Sequence, residues 1–123
     1  MKLIGPTAEG YGLNWNKERT GMISSVGYDG ILCIWDINSL FENKHKEGTT
    51  NLKPTYKIKV SDGCELEDVS WNKKNGAVLA TVGSDSKLYI YDIRADSKSP
   101  SQTIGGAHKE KGIMAVDFNP FNY

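Results

Sequence analysis

The sequence is short of the residues from which most enzyme sites are assembled. It has two histidines, His45 and His108, and two cysteines, Cys33 and Cys64, in 123 residues. Neither pair has the spacing of a metal site, and so few imidazoles leave a histidine-dependent acid-base mechanism little to draw on. No glycine-rich phosphate loop stands between a strand and a helix, and no nucleophile elbow occurs. The thirteen glycines fall at turns instead. Net charge is lacking too, because 15 basic side chains balance 15 acidic ones. No global field therefore draws the protein to nucleic acid or a membrane, and partner choice must come from local patches. No apolar run approaches the roughly 20 residues that cross a bilayer as a helix. The opening Met1-Lys2-Leu3-Ile4-Gly5-Pro6 is too short and too soon broken to read as a signal peptide. Cys33 lies inside the apolar run Ile31-Leu32-Cys33-Ile34-Trp35. Reduced thiols in a cytosolic or nuclear compartment are expected, and neither a metal nor a cofactor.

What the sequence does have is repetition. Gly12-Leu13-Asn14-Trp15-Asn16 recurs as Asp68-Val69-Ser70-Trp71-Asn72 and again as Val116-Asp117-Phe118-Asn119. The first copy continues with Gly27-Tyr28-Asp29 and Trp35-Asp36, the second with Gly83-Ser84-Asp85 and Tyr91-Asp92. The internal spacing is constant: Trp15 to Trp35 is 35 − 15 = 20 residues, and Trp71 to Tyr91 is 91 − 71 = 20. Between copies the distance changes, from 71 − 15 = 56 to 118 − 71 = 47 residues. A fixed unit with variable loops, closed by a Trp-Asp dipeptide, is the pattern of a β-propeller blade, whose repeat is about 40 to 45 residues.

The fold class expected is therefore all-β: WD-repeat propeller blades, about two four-stranded blades plus the first strand of a third. A closed ring needs roughly four to eight blades, so the reading is of a partial propeller. The first blade, residues 1–61, should use strands Tyr11–Trp15, Met22–Val26, Ile31–Ile37 and Tyr56–Val60. The second, 62–107, should use Glu67–Trp71, Val78–Val82, Leu88–Ile93 and Gln102–Ile104, and 108–123 begins a third at Ile113–Phe118. Each is a short β-branched or aromatic run between turn residues. The middle strands are apolar on both faces, as a sheet sandwiched between neighbours requires. Tyr28-Asp29-Gly30 and Ser84-Asp85-Ser86 supply hairpin turns. The polar insertion 39–54 and the Ser/Lys/Pro stretch 96–101 read as surface loops, with Phe41 and the Lys44-His45-Lys46 run kept as binding candidates. Exposed outer strands predict self-association.

Two residue sets carry chemistry. In a WD-type repeat the third-strand Trp, a second-strand Ser or Thr, the turn Asp and a preceding His share hydrogen bonds, because a buried indole N–H needs an acceptor. Ser25, Asp29 and Trp35 fit the first blade; Thr81, Asp85 and Tyr91 fit the second, with a phenol replacing the indole. Pro6 and Asp62 stand where the His would be, and only His108 matches. This set is structural, and no nucleophile or base accompanies Asp29 or Asp85. The second set begins the innermost strands: Glu9 and Tyr11, then Glu67, then Met114. Two carboxylates beside an aromatic ring can take an Arg fork through paired hydrogen bonds, with cation–π attraction of about 0.5 to 2 kcal/mol added. Solvated surface charges are an equal reading of Glu9 and Glu67.

The runs Glu9-Gly10-Tyr11-Gly12-Leu13-Asn14-Trp15-Asn16, Cys33-Ile34-Trp35-Asp36-Ile37, Glu67-Asp68-Val69-Ser70-Trp71, Lys87-Leu88-Tyr89-Ile90-Tyr91-Asp92 and Phe118-Asn119-Pro120 resemble consecutive middle blades of the retinoblastoma-binding histone chaperone family of WD-repeat proteins. The resemblance covers nearly the whole chain, broken mainly by the insertion. It implies a seven-bladed, non-enzymatic histone-binding subunit of chromatin assembly, deacetylase, remodelling or Polycomb complexes, in the nucleus and also in the cytoplasm. It further implies a channel mouth that receives an Arg/Lys-rich histone tail, with Glu9, Tyr11 and Glu67 at the family's acidic and aromatic contact positions. Met114 departs from the family's polar Asn, which puts one peptide hydrogen bond in doubt. The family's second histone contact uses segments with no counterpart in this sequence. A general scaffold for cargo import, ubiquitin ligase targeting or ribosome assembly is the alternative function.

Overall fold

The computed structural model describes residues 2–3, 10, 12–38, 51–52, 54–60, 64–94, 100–105, 112 and 115–119. Strands β1 (Lys2–Leu3) and β5 (Asn51–Leu52) form a small parallel pair. Between them in sequence come β2 (Gly12–Trp15), β3 (Met22–Val26) and β4 (Ile31–Asp36), which are followed by β6 (Tyr56–Lys59). These last four make an antiparallel sheet in the order β2-β3-β4-β6. A second antiparallel sheet repeats the arrangement with β7 (Leu66–Trp71), β8 (Val78–Gly83), β9 (Leu88–Asp92) and β10 (Gln102–Ile104). All-β architecture with two four-stranded sheets is thus what the repeats encode.

The correspondence reaches single hydrogen bonds. Ile23 pairs with Trp35 and Leu79 with Tyr91, residues displaced by the same 56 positions. The N–H of Asn16 reaches the Met22 carbonyl and that of Asn72 the Val78 carbonyl, both at 2.8 Å. Ile37 and Ile93 leave their ladders alike, donating to the carbonyls of Gly21 and Ala77 at 2.8 Å. The hairpin between β3 and β4 closes on Gly30, whose φ of 73° costs a glycine nothing. Ser86 occupies the same place between β8 and β9 at φ 63°, in the left-handed region where a Cβ is penalised.

Strand alternation sorts the side chains between two faces. One face of the first sheet contributes Met22, Val26, Leu32 and Ile34, and one face of the second contributes Val69, Trp71, Leu79, Tyr89 and Tyr91; together they form a single buried core. Full burial of one such side chain stabilises by about 1.5–3 kcal/mol. Polar contacts fix the register of the two sheets. Asn14 Oδ1 accepts from the Trp71 N–H at 2.9 Å, and Asn16 Nδ2 donates to the Gly76 carbonyl at 2.7 Å. The innermost strands β2 and β7 run so close that a Cβ on Gly12 would meet the Asp68 backbone at 3.1 Å.

Two expectations change. Part of the insertion is not plain loop, since Asn51 and Leu52 pair with Lys2 and Leu3. A two-residue parallel bridge is a backbone contact and leaves no side-chain period to read. Phe41 and the Lys44-His45-Lys46 run lie outside the described residues. The expected opening strand of a third unit is not a strand over 115–119; Ile113 and Met114 are not described. Among the described residues no second hairpin strand lies beside it to complete a ladder. It is held by side chains instead: Val116 N–H donates to Asp68 Oδ2 at 3.0 Å, and Ser70 Oγ donates to Asp117 Oδ1 at 3.2 Å.

Candidate functional site at the start of the inner strands

β7 begins at Leu66, which is fully buried and anchored by its N–H on the Gly27 carbonyl at 3.1 Å. That anchor leaves the next residue, Glu67, half-buried at the entrance of the strand. The register slips between Leu66 and Asp68, so Glu67 sits on a bulge that re-aims its side chain out of the regular ladder. Its Oε2 accepts from the Tyr28 hydroxyl at 3.5 Å. Tyr28 belongs to the first sheet's hairpin turn, so a carboxylate of one sheet meets a phenol of the other. From the sequence alone Tyr11 is the expected aromatic neighbour of Glu67 and Tyr28 a turn residue; in the structure Tyr28 is the phenol that meets Glu67. The signal for Tyr28 was its position directly after Gly27, on the turn that faces the start of the following inner strand. Glu9, Tyr11 and Met114 lie outside the described residues.

The rest of this end is acidic and tightly tied. Glu65 N–H donates to Ser84 Oγ at 3.0 Å, and the Ser84 N–H returns to the Glu65 carbonyl at 2.9 Å. Asp68 takes the N–H groups of Val69 and Val116 on its two oxygens. Lys59 Nζ is the nearby cation, donating to the Asp29 carbonyl at 2.5 Å. A preorganised set of acceptors at a strand entrance suits a cationic guest better than an anionic one.

Of the residues assigned to the hydrogen-bond network, Ser25 and Trp35 share one face of the first sheet, and Thr81 and Tyr91 share one face of the second. Asp29 Oδ1 accepts from the Ile31 N–H at 3.1 Å, and Asp85 Oδ1 from the Lys87 N–H at 3.2 Å, so each Asp braces its own turn. Ser25 Oγ and the Tyr91 hydroxyl are buried and have no hydrogen-bond partner among the described residues. Thr81 Oγ1 donates to the Asp68 carbonyl at 2.8 Å. Asp85 is reached instead by the hydroxyl of Tyr89. Tyr89 pairs with Thr81 and Tyr91 with Leu79, so Tyr91 lies two residues, roughly 6.6 Å, further from the turn. Burial without a partner pushes the Tyr91 phenol up from its ordinary range. His108 is not described.

Both cysteines are free and buried. Desolvation is the main cause that pushes Cys33 up to about 11 and Cys64 above its ordinary value, so neither is a ready thiolate. Among the described residues no group of three or more His, Cys, Asp or Glu side chains could hold a metal ion, and no helix is long and apolar enough to cross a membrane.

No family model matches the chain. It is similar to the WD-40 repeat-containing protein MSI3 of Arabidopsis thaliana, 31% identical over 124 aligned positions that cover 99% of this chain and 26% of that protein. The alignment runs through nearly the whole chain, and the two sheets are built on one repeat, closed by Trp35-Asp36 in the first and Tyr91-Asp92 in the second. The chain has the WD-repeat fold. This WD-repeat segment spans about a quarter of the length of the curated relative it matches.

Proposed function

We propose that this WD-repeat segment is a non-enzymatic, histone-binding part of a nuclear chromatin complex, and that the entrance of the inner strands receives an Arg/Lys-rich tail. The observation that carries the reading is the half-buried Glu67 carboxylate on its bulge, facing the Tyr28 hydroxyl at 3.5 Å. A carboxylate in that position takes a guanidinium by two parallel hydrogen bonds, and the phenol ring adds a face for the cation. Glu9 and Tyr11 precede β2 as Glu67 opens β7, so they belong to the same proposed entrance. The likeness of Glu9–Asn16 and Glu67–Trp71 to the retinoblastoma-binding histone chaperones supports the choice of a histone tail over another basic peptide. Met114, third in the series, stands where that family has Asn, so one hydrogen bond to the peptide is expected to be missing.

Calorimetric titration with an Arg/Lys-rich peptide matching the histone three tail tests this. Charge reversal by Glu67→Lys is expected to abolish the heat, because the peptide's cation then meets a like charge. Unchanged affinity in Glu67→Lys would refute the assignment and leave a general scaffold role.

A further inference from the structure

The turns that follow the two inner strands are built alike, yet only one carries a reactive pair. Asn75 and Gly76 lie between β7 and β8 and form the only Asn-Gly dipeptide in the sequence. Arg19 and Thr20 hold the corresponding places, 56 residues earlier, between β2 and β3. Each turn closes in the same way, Met22 N–H on the Arg19 carbonyl at 3.2 Å and Val78 N–H on the Asn75 carbonyl at 3.1 Å. The second turn has one further bond. Asn75 Oδ1 accepts the Ala77 N–H at 3.1 Å, which folds the carboxamide back along its own main chain, over the Gly76 peptide. That bond also draws electron density toward Oδ1 and leaves Cγ more open to attack. Among the described residues neither the Gly76 N–H nor Asn75 Nδ2 has a hydrogen-bond partner, and both residues are half-buried, within reach of water. The nitrogen that could attack Cγ and the amide that could leave it are thus both unrestrained. Gly76 also lacks a Cβ to screen its nitrogen.

We infer that Asn75 is a site of covalent self-modification, at which the folded turn converts its own amide into a carboxylate. The Gly76 nitrogen gives its proton to water and attacks Asn75 Cγ. A bond forms between that nitrogen and Cγ, the Cγ–Nδ2 bond breaks, and Nδ2 leaves as ammonia with a proton from solvent. Water then opens one carbonyl of the resulting cyclic imide and gives aspartate or isoaspartate at position 75. Water is the sole co-reactant. The location gives the change a consequence. The Gly76 carbonyl accepts from Asn16 Nδ2 at 2.7 Å, and a Cβ on Gly76 would meet Arg19 Cγ and Glu18 Cβ at 2.9 Å, so this peptide is where the second sheet's turn seats on the first. Isoaspartate moves one methylene from the side chain into the main chain just before Gly76 and adds a negative charge. Both changes displace the carbonyl from Asn16, and the contact between the sheets loosens irreversibly. The twin turn, with Arg19 and Thr20, has no such reaction open to it.

Incubation of the whole chain at mildly alkaline pH in heavy-oxygen water, followed by tryptic digestion in ordinary water and mass spectrometry, tests the site. The tryptic peptide Asn75–Lys87 contains no other Asn or Gln, so amide loss within it is assigned to Asn75. Aspartate and isoaspartate forms carrying the heavy oxygen are expected, at a rate within about tenfold of that of the free peptide Ac-Lys-Asn-Gly-Ala-NH₂. Asn75→Gln, whose longer side chain must close a larger ring, should abolish the conversion. In the converted protein, separated by its added negative charge, the Asn16 side-chain amide should lose its protection from hydrogen exchange. A folded chain that keeps its amide at position 75 while the free peptide converts, or equal labelling in Asn75→Gln, would overturn the site. Retained protection of the Asn16 amide would overturn its effect on the sheets. None of these outcomes bears on the basic-tail reading, whose own variant is Glu67→Lys.

Discussion

Trp15 and Trp71 hold the same place in two copies of one repeat, yet the first is 52% exposed and the second 2%. Their neighbours agree: Leu13 is exposed while its counterpart Val69 is buried. The residues are alike and the strands are alike, so burial here is a property of position in the stack rather than of the repeat. Trp71 faces the aliphatic side of the first sheet; Trp15 has no described sheet on its outer side. The largest test of that contrast is truncation. Trp71→Ala should destabilise by about 3–5 kcal/mol, the range for a large buried aromatic, and Trp15→Ala by under about 1 kcal/mol. Urea unfolding of both variants measures it, and equal losses would mean that Trp15 is covered in solution, as self-association through the exposed outer strands predicts.

The same contrast explains what could be read from the sequence. Strands β3 and β10 fall on their expected residues, and the other six sheet strands differ from expectation by one residue at an end. Alternation, turn residues and the repeat spacing are local and survive in the letters. Side-chain partners were less legible. The Trp-Asp pattern named Ser25 and Tyr91 as network members, and both hydroxyls are buried without partners among the described residues. Tyr89, which does reach Asp85, is marked only by its register opposite Thr81. Tyr28 touches Glu67 across 39 residues of sequence, a contact set by how two sheets stack. Such contacts depend on the angle between sheets, which no residue pattern within one blade reports.

A smaller effect separates the two asparagines that end the inner strands. Asn16 and Asn72 cap their turns identically, each Oδ1 accepting two backbone N–H groups. Asn16 also donates across to Gly76 of the second sheet. Loss of a part-buried hydrogen bond together with a cap should make Asn16→Ala cost about 1–3 kcal/mol, and Asn72→Ala only the cap's share of about 1 kcal/mol. Identical midpoints in thermal unfolding would show that the cross-sheet bond contributes nothing.

The hairpin turns offer a third comparison, one in which the repeats differ in sequence. Gly30 and Ser86 both adopt positive φ. Gly30→Ala introduces the left-handed penalty of about 1–2 kcal/mol. Ser86→Gly relieves that penalty but adds freedom to the unfolded chain, so its gain should stay under about 1 kcal/mol. Chemical denaturation that found Gly30→Ala neutral would show the first turn free to take another conformation.

The subtlest difference lies at the end of the third strands, where Asp36 and Asp92 close the two repeats. Each accepts the N–H of the residue two further on at 3.0 Å, Asn38 in one case and Arg94 in the other. Asn38 turns away to the Thr20 carbonyl at 2.8 Å, whereas the Arg94 guanidinium folds back onto Asp92 with a closest contact of 2.6 Å. Hydrogen bonds from Arg94 hold the Asp92 carboxyl down to about 2, from an ordinary 3.8. The sign follows from which state binds the proton more weakly: the pair's contribution is whole above about 3.8 and is lost as pH falls toward about 2. Arg94 is exposed and Asp92 partly so, and salt should therefore erase most of it. NMR titration of the Asp92 side chain is expected to give a midpoint near 2 that rises toward 3.8 in Arg94→Gln. A midpoint unmoved by that substitution would mean that the Asp-closed turn, common to both repeats, sets the acidity by itself.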